Sequence, residues 1–365
     1  MKKTYFTHKF ALFVSFALLF APYTTTAMAS EDISYTVEVG DASAPENVMQ
    51  SEQPRIYHLD FSNPRVDVKQ ILDSGIVVDE IPTLLAATYI SLSEAQSHEN
   101  LKDDDYVVGV DINGEFRFYP LSILNWHQGV NDTVNGEPVF ISWDPLTAQP
   151  YAINRKLDGR TTTEFGVSGL VYRSTSLYYD RATQSLWSGF MKKAITGQFN
   201  NFVPQEYPSY VTQVKFVKSL FPNALTLSRE TGYVRDYDTN PYGSYGHDTT
   251  MLFPVRYFDV SMPRKEYVLG VTIRRGPMVR EVAFPVSSLM EWRQAKGLKF
   301  TFGNDIFPSM PATKITVHYL EPLGRFEVTS PHADVQIDMT YSYWFVWSAF
   351  HPNTHVVRTL GNDFL

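Results

Sequence analysis

The chain has no cysteine among its 365 residues. That absence excludes disulfides, zinc–thiolate centres, iron–sulfur clusters and thiol redox chemistry within it, and leaves no thiol for a lipid anchor. Clustered cations are missing too. Lys and Arg number 31 against 39 Asp and Glu, and no basic run occurs anywhere. Nucleic acid and anionic membrane surfaces both demand clustered Lys and Arg, so neither is expected as the main partner. Long apolar runs are absent after the first thirty residues. No H-E-x-x-H, P-loop or dinucleotide fingerprint is present either.

The one apolar run, Phe10–Ala21 (FALFVSFALLFA), follows Lys2, Lys3 and Lys9 and precedes Ala27-Met28-Ala29. A basic stretch, a short apolar run and a small-x-small site make a secretory signal peptide over residues 1–29. A membrane span would take about 20 apolar residues, more than this run supplies. The expected mature chain, Ser30–Leu365, carries 28 basic and 39 acidic residues, a net charge near −11. Its expected location is periplasmic or secreted, with no span left after cleavage. Residues 30–80 read as a mobile lead-in with short elements: a strand at RIYHLDF and a short helix ending at Gly75.

Aromatic residues make up 15% of the chain, with 22 Tyr and 25 Phe, which favours strands. Asn113-Gly114 separates VVGVDI from EFRFY, the strongest short-range hairpin signal. Asn135-Gly136 and Asp158-Gly159 repeat it, predicting an antiparallel meander. Ser91-Leu92-Ser93-Glu94 is a capping box opening a helix to about Glu99, and Pro120 opens another. Ser209–Phe221 reads as the best helix, capped by Ser209, striped by Val211, Val214 and Val217, and stopped by Pro222.

The sequence also echoes itself. Tyr106-Val-Val-Gly-Val110 returns as Tyr267-Val-Leu-Gly-Val271, and Tyr119–Leu124 as Phe284–Leu289. Trp126-His127-Gln128 returns as Trp292-Arg293-Gln294, Asp144-Pro145-Leu146 as Glu321-Pro322-Leu323, and Phe216–Phe221 as Phe345–Phe350. Five matches in one order predict a duplication, the second copy lacking most of Asp158–Gln198. The expected fold is α+β and β-dominated: two related antiparallel sheet units, 81–231 and 232–365 (the second with its connecting loop), and a few short helices.

Chemistry-bearing residues are few. His127 is the side chain suited to proton exchange near neutrality. Asp144, between strands, is a candidate ligand or base. Arg155 and Arg173 are isolated cations suited to a carboxylate or phosphate. Asp180 and Arg181 read most simply as a mutual salt bridge, and Asn131 and Asp132 as turn formers. Gly166-Val167-Ser168-Gly169-Leu170 fails as a nucleophile elbow because Leu170 stands where Gly is required. Asp236-x-Asp238-x-Asn240 begins like a calcium loop, yet Pro241 takes the sixth place and His247 the twelfth. Asp236, Asp238 and Asn240 remain candidates for another calcium site, against a tyrosine-pinned structural loop across 231–250.

The runs VVGVDINGEFRFYPLSILNWHQGVNDTVNGEPV, FGVSGLVYRSTSLYYDRATQSLWS, SRETGYVRDYDTNPYGSY and YWFVWSAFHPNT resemble the domain-of-unknown-function 3179 (DUF3179) family, over about residues 81–358. The resemblance implies no established activity and leaves the cofactor unknown. Members commonly carry Cys-Pro-Leu-Cys where this chain has Asp144-Pro145-Leu146-Thr147, and an Asn where Arg173 stands. A metal or redox pair implied by those thiols would here be replaced by oxygen ligands, minimally Asp144 with His127. Three functions stay open. One is an exported binding or accessory protein, its small polar pocket (His127, Asp144, Arg155, Asp180, Arg181) taking a small polar or anionic ligand. The second is a hydrolase-type or metal-assisted enzyme using His127 and Asp144. The third is a structural envelope protein.

Overall fold

The computed structural model describes residues 36–37 and 57–358, apart from 86, 160–161, 222, 294–297, 304–306 and 308–309. The signal peptide, lead-in residues 30–35 and 38–56, Pro222 and Gln294 therefore lie outside the described residues. A short ladder of β1 (Thr36–Val37) with β2 (Tyr57–His58) comes first, then β3 (Ile71–Asp73), β4 (Tyr89–Ser91) and α1 (Leu92–His98). The capping box forms as its spacing predicts: the Ser91 hydroxyl accepts from the Glu94 N–H at 3.1 Å.

β5 (Tyr106–Ile112) and β6 (Glu115–Pro120) pair antiparallel, and α2 (Leu121–His127) leads to β7 (Gly129–Val134), β8 (Glu137–Asp144) and β9 (Gln149–Asn154). Asn113 and Gly114 have φ of 52° and 88°, and Asn135 and Gly136 of 49° and 77°. Two successive left-handed residues are what a type I′ turn requires, so both hairpins form where the sequence marks them. The third marker does less: Asp158-Gly159 lies within an isolated Lys156–Thr162 bridge rather than a strand hairpin.

Next come β10 (Phe165–Tyr172), β11 (Thr175–Asp180), β12 (Leu186–Ser188), β13 (Lys193–Ala194), β14 (Ser209–Gln213), α3 (Val214–Val217) and β15 (Leu225–Leu227). After a long loop follow β16 (Tyr267–Arg275), β17 (Met278–Pro285), α4 (Val286–Trp292), β18 (Leu298–Phe302), β19 (Thr313–Leu320), β20 (Arg325–Thr329), β21 (Val335–Tyr343), α5 (Trp344–Phe350) and β22 (His355–Val356).

The helix expected over Ser209–Phe221 is mostly strand. Ser209–Gln213 alternates buried and half-buried side chains and pairs with β5 along its whole length, and only Val214–Val217 turns helical. Tyr210 and Thr212 make a period-two buried face while Val211 belongs to the helical stripe, and the edge of β5 decides between the two readings.

The protein is β-dominated, but it is not two duplicated sheet units. Five small sheets stand in a propeller-like ring: β14-β5-β6-β15-β4, β7-β8-β9, β13-β12-β11-β10-β3, β21-β16-β17-β22 and β18-β19-β20. The reason is local. α2 and α4 carry the chain off the preceding hairpin, so each following meander closes its own sheet, and β10–β13 recruit β3 to make a fifth. Four of the five sequence echoes fall at matching places in or just after strands of the sheets built on β5–β6 and β16–β17. The fifth, Asp144 and Glu321, falls at or just past the end of the middle strand of the two three-stranded sheets. In each of the first two sheets, the hairpin (β5–β6, β16–β17) carries an antiparallel neighbour on one side and a parallel strand on the other.

Those two sheets also share a packing device. A Cβ on Gly109 would meet the Tyr210 ring at 2.8 Å, and one on Gly270 would meet the Trp347 ring at 2.2 Å. Each bare glycine lets a buried aromatic lie flat on the strand. Gly270→Ala is expected to cost about 1–3 kcal/mol, because the fully buried Trp347 has little room to retreat. Gly189→Ala, whose Cβ would meet only ordinary contacts from 3.5 Å, is the matched control. Urea midpoints of the two variants check this.

Candidate functional site

β8 ends at Asp144, and the turn to β9 runs through Ala148, whose φ is 56°. The carboxylate is buried. Its Oδ2 accepts from the Ser176 N–H at 2.9 Å, and its Oδ1 from the Ser176 hydroxyl and the Leu146 N–H, both at 3.0 Å. Burial pushes its pKa up, and these donors oppose the rise. Among the described residues no cation forms an ion pair with it. Strands and loops from elsewhere hold the same turn. Tyr245 donates to the Leu146 carbonyl at 3.0 Å, Tyr267 to that of Ala148 at 3.2 Å, and the Tyr343 N–H to that of Thr147 at 2.9 Å.

His127 ends α2, fully buried. Nδ1 lies 2.8 Å from the Pro82 carbonyl and Nε2 2.8 Å from the Tyr237 hydroxyl. A carbonyl only accepts, so Nδ1 carries the proton, and Nε2 accepts from Tyr237. Tyr237 in turn accepts from the Thr231 hydroxyl at 2.5 Å. Burial lowers the His127 pKa to about 4, which the Pro82 carbonyl opposes and Arg235 reinforces. The ring is neutral at physiological pH. No hydrogen bond joins His127 to Asp144.

The other expected site residues are local ties. Arg155 donates to three backbone carbonyls: Val139 at 3.1 Å, Thr163 at 2.8 Å and Asp132 at 3.1 Å. Arg173 reaches the Ala349 carbonyl at 2.9 Å and lies over the Tyr172 and Phe350 rings, fastening α5. Asp180 and Arg181 do not pair with each other. Asp180 accepts from the Thr183 N–H at 2.7 Å and from the Trp187 indole at 2.9 Å, while Arg181 pairs with Asp79 at 2.8 Å. Consecutive residues at a strand end face opposite ways, which separates them. Asn131 and Asp132 form no turn. Both lie in β7, Asn131 bonding both backbone groups of Phe165 and Asp132 pairing with Arg117 at 2.9 Å.

The calcium candidates are likewise spoken for. Asp236 accepts from Thr239 at 2.6 Å, Asp238 pairs with Arg229 at 2.8 Å, and the Asn240 side chain accepts from the Tyr242 N–H at 3.0 Å. No group of three metal-binding side chains converges among the described residues. A surface depression lined by Gly246, His247, Asp248, Pro263, Arg264 and Lys265 contains none of the expected site residues.

What sequence reasoning missed lies beside Asp144. Gln128 caps α2 with a φ of 54°. Its Nε2 donates to the Tyr242 hydroxyl at 2.6 Å, while its Oε1 is buried with no partner. Turned over, the amide would accept from the Tyr242 hydroxyl at Oε1 and leave Nε2 unpartnered instead, so one amide atom lacks a partner in either orientation. With the amide as placed, the Tyr242 hydrogen likewise finds no acceptor among the described residues. Burial first, and then the nearby Asp144, raise the Tyr242 pKa, so the phenol stays protonated. The tyrosine density of residues 231–250 was the available signal.

Two pH effects follow. The His127 pKa is lowered on folding, so its neutral form stabilises the fold at neutral pH. That stability is lost as pH falls from the ordinary 6.5 toward about 4, by up to about 3 kcal/mol. Denaturation of wild type against His127→Gln should show this slope in wild type only. Asp144 is the opposite case: its raised pKa means that the folded chain holds the proton more tightly. Stability relative to Asp144→Asn should therefore fall as pH rises above the ordinary 3.8. Urea midpoints of that pair between pH 3.5 and 7 check the sign.

No curated protein and no solved structure matches this chain. One family model does, described as "Protein of unknown function (DUF3179)", over residues 78–354. That match covers most of the sequence and includes every candidate named above, and the chain belongs to the DUF3179 family.

Proposed function

We propose that the protein is exported and acts as a non-catalytic binding or accessory protein for a small polar ligand. The observation that carries this reading is the contrast between His127 and Gln128. Both nitrogens of His127 are engaged, and its lowered pKa removes the proton exchange that a general base needs near neutrality. Asp144 is held by three donors from Ser176 and Leu146 and does not orient the histidine. Gln128 and Tyr242, by contrast, offer one unused acceptor and one unused donor side by side. A small group with a donor and an acceptor face, such as an amide or hydroxyl, satisfies both and relieves a desolvation penalty of about 1–3 kcal/mol. Export is supported by the basic, apolar and small-residue order of residues 1–29.

Acetamide, the simplest molecule with both faces, is the probe. Saturable chemical-shift changes in wild type, absent in a folded Gln128→Leu variant, are expected. Hydrolytic turnover that disappears in His127→Gln with the fold intact would overturn the non-catalytic reading. No acetamide effect at all would leave a structural role. Mass spectrometry of the protein from its producing cells should give a chain beginning near Ser30; a retained Met1 on an intracellular chain would overturn export.

A further inference from the structure

A second polar cluster shares no residue with the Asp144 turn. Lys192, in left-handed backbone with φ 56°, projects its ammonium between two carboxylates. Nζ lies 2.9 Å from Glu206 Oε1 and 2.6 Å from Asp338 Oδ1, and 3.3 Å from the Met339 carbonyl. These acceptors use the three ammonium hydrogens. Arg274 approaches the other Asp338 oxygen at 3.9 Å, too far for a hydrogen bond. Glu206 Oε2 and Asp338 Oδ2 thus keep unused acceptor capacity among the described residues. The two carboxylate side chains are 38% and 34% exposed, the lysine only 15%: the cation is deep and the acceptors face solvent.

An independent observation marks the same place. Tyr151 is 5% exposed, and its hydroxyl has no hydrogen-bond partner. Ile153 of β9 pairs antiparallel with Glu206, so Tyr151, two residues earlier, stands diagonally across from Glu206 on the same face. Burial, and then the charges of Glu206 and Asp338, raise the Tyr151 pKa, so this hydroxyl stays protonated. A buried phenol without a partner is costly and calls for an explanation.

We propose that Tyr151, Lys192, Glu206 and Asp338 form a binding site for a neutral, small polyhydroxylated ligand. The class follows from the charges. Lys192 and Arg274 balance Glu206 and Asp338, so the ligand need bring no charge. A cationic ligand would be repelled by Lys192 and Arg274 beside those oxygens, and an anion would face two carboxylates. Adjacent ligand hydroxyls donate to Glu206 Oε2 and Asp338 Oδ2, and a ligand oxygen accepts from Tyr151. The site stands whether or not Gln128 binds a ligand.

Titration of the full mature chain with myo-inositol, followed by chemical shift, tests this, with putrescine and inorganic phosphate as charged controls. Saturable binding of myo-inositol is expected, about three- to tenfold weaker in Tyr151→Phe, the loss of one neutral hydrogen bond. That variant removes only an unpartnered hydroxyl, so its melting temperature should be unchanged or raised. Gln128→Leu should bind as wild type does. No saturation by myo-inositol, preference for putrescine or phosphate, or equal affinity in Tyr151→Phe would each overturn the proposal. Loss of binding in Gln128→Leu instead would assign the ligand to the Asp144 neighbourhood.

Discussion

The constraint on which this ring depends is a carboxylate buried with no ion pair among the described residues. Removing Asp144 from water costs several kcal/mol. Three hydrogen bonds to a charged acceptor, each worth about 1.5–3 kcal/mol, offset part of that cost when the donors are fixed in place, and burial still holds its pKa up. Ser176 supplies two of them from β11 and Leu146 the third from the turn itself. The carboxylate therefore ties the β7–β9 sheet to the β10–β13 sheet. The turn it shapes then offers carbonyls to Tyr245, Tyr267 and Tyr343. The five sheets, of three to five strands each, pack their buried residues into clusters shared between neighbouring sheets, and the polar ties join them at the turns.

The same logic explains which residues misled the sequence reading. Arg155, Arg173, Asp180 and Arg181 stood out because a charge among apolar neighbours invites a ligand. In a ring of short sheets, strand ends and turns leave many backbone groups unpaired, and each buried one needs a partner. A guanidinium with five donors meets that need, as Arg155 does with three carbonyls. Sequence marks a charge as inward-facing, but the waiting carbonyl comes from an element whose position is tertiary. Turns were legible because their requirement is local: Asn113-Gly114 and Asn135-Gly136 need only positive φ. Ser209–Phe221 was misread because helix and strand periods both fit its apolar residues, and the choice fell to the edge of β5.

The departure at Asp144-Pro145-Leu146-Thr147 takes on a physical sense. Cysteines at such a turn would offer sulfur to a metal or to each other. Here the Asp144 oxygens face inward to Ser176, and the buried Thr147 hydroxyl bonds the Asp144 carbonyl at 3.4 Å. The position has become a structural junction, with its polar atoms spent on the fold. Thiol chemistry at this turn is closed to the chain, which has no cysteine.

The two sheets built to one plan show why unused polar capacity collects where it does. His127 ends α2, and its counterpart Arg293 lies exposed just after α4. The difference is the long loop between β15 and β16. It lays Tyr233 and Tyr237 against the His127 ring at 5.3 and 5.9 Å and brings Tyr242 to Gln128. Covering one helix end with a tyrosine-rich loop forces every polar atom beneath it to find a partner inside the protein. His127 does so at both nitrogens; Gln128 does so at one of its two amide atoms. The twin is not covered: Arg293 stays exposed, and its guanidinium donates to the Met290 carbonyl one turn back. An unmet hydrogen bond beneath the loop is thus a consequence of coverage, and it survives only where its cost is tolerated or a ligand removes it.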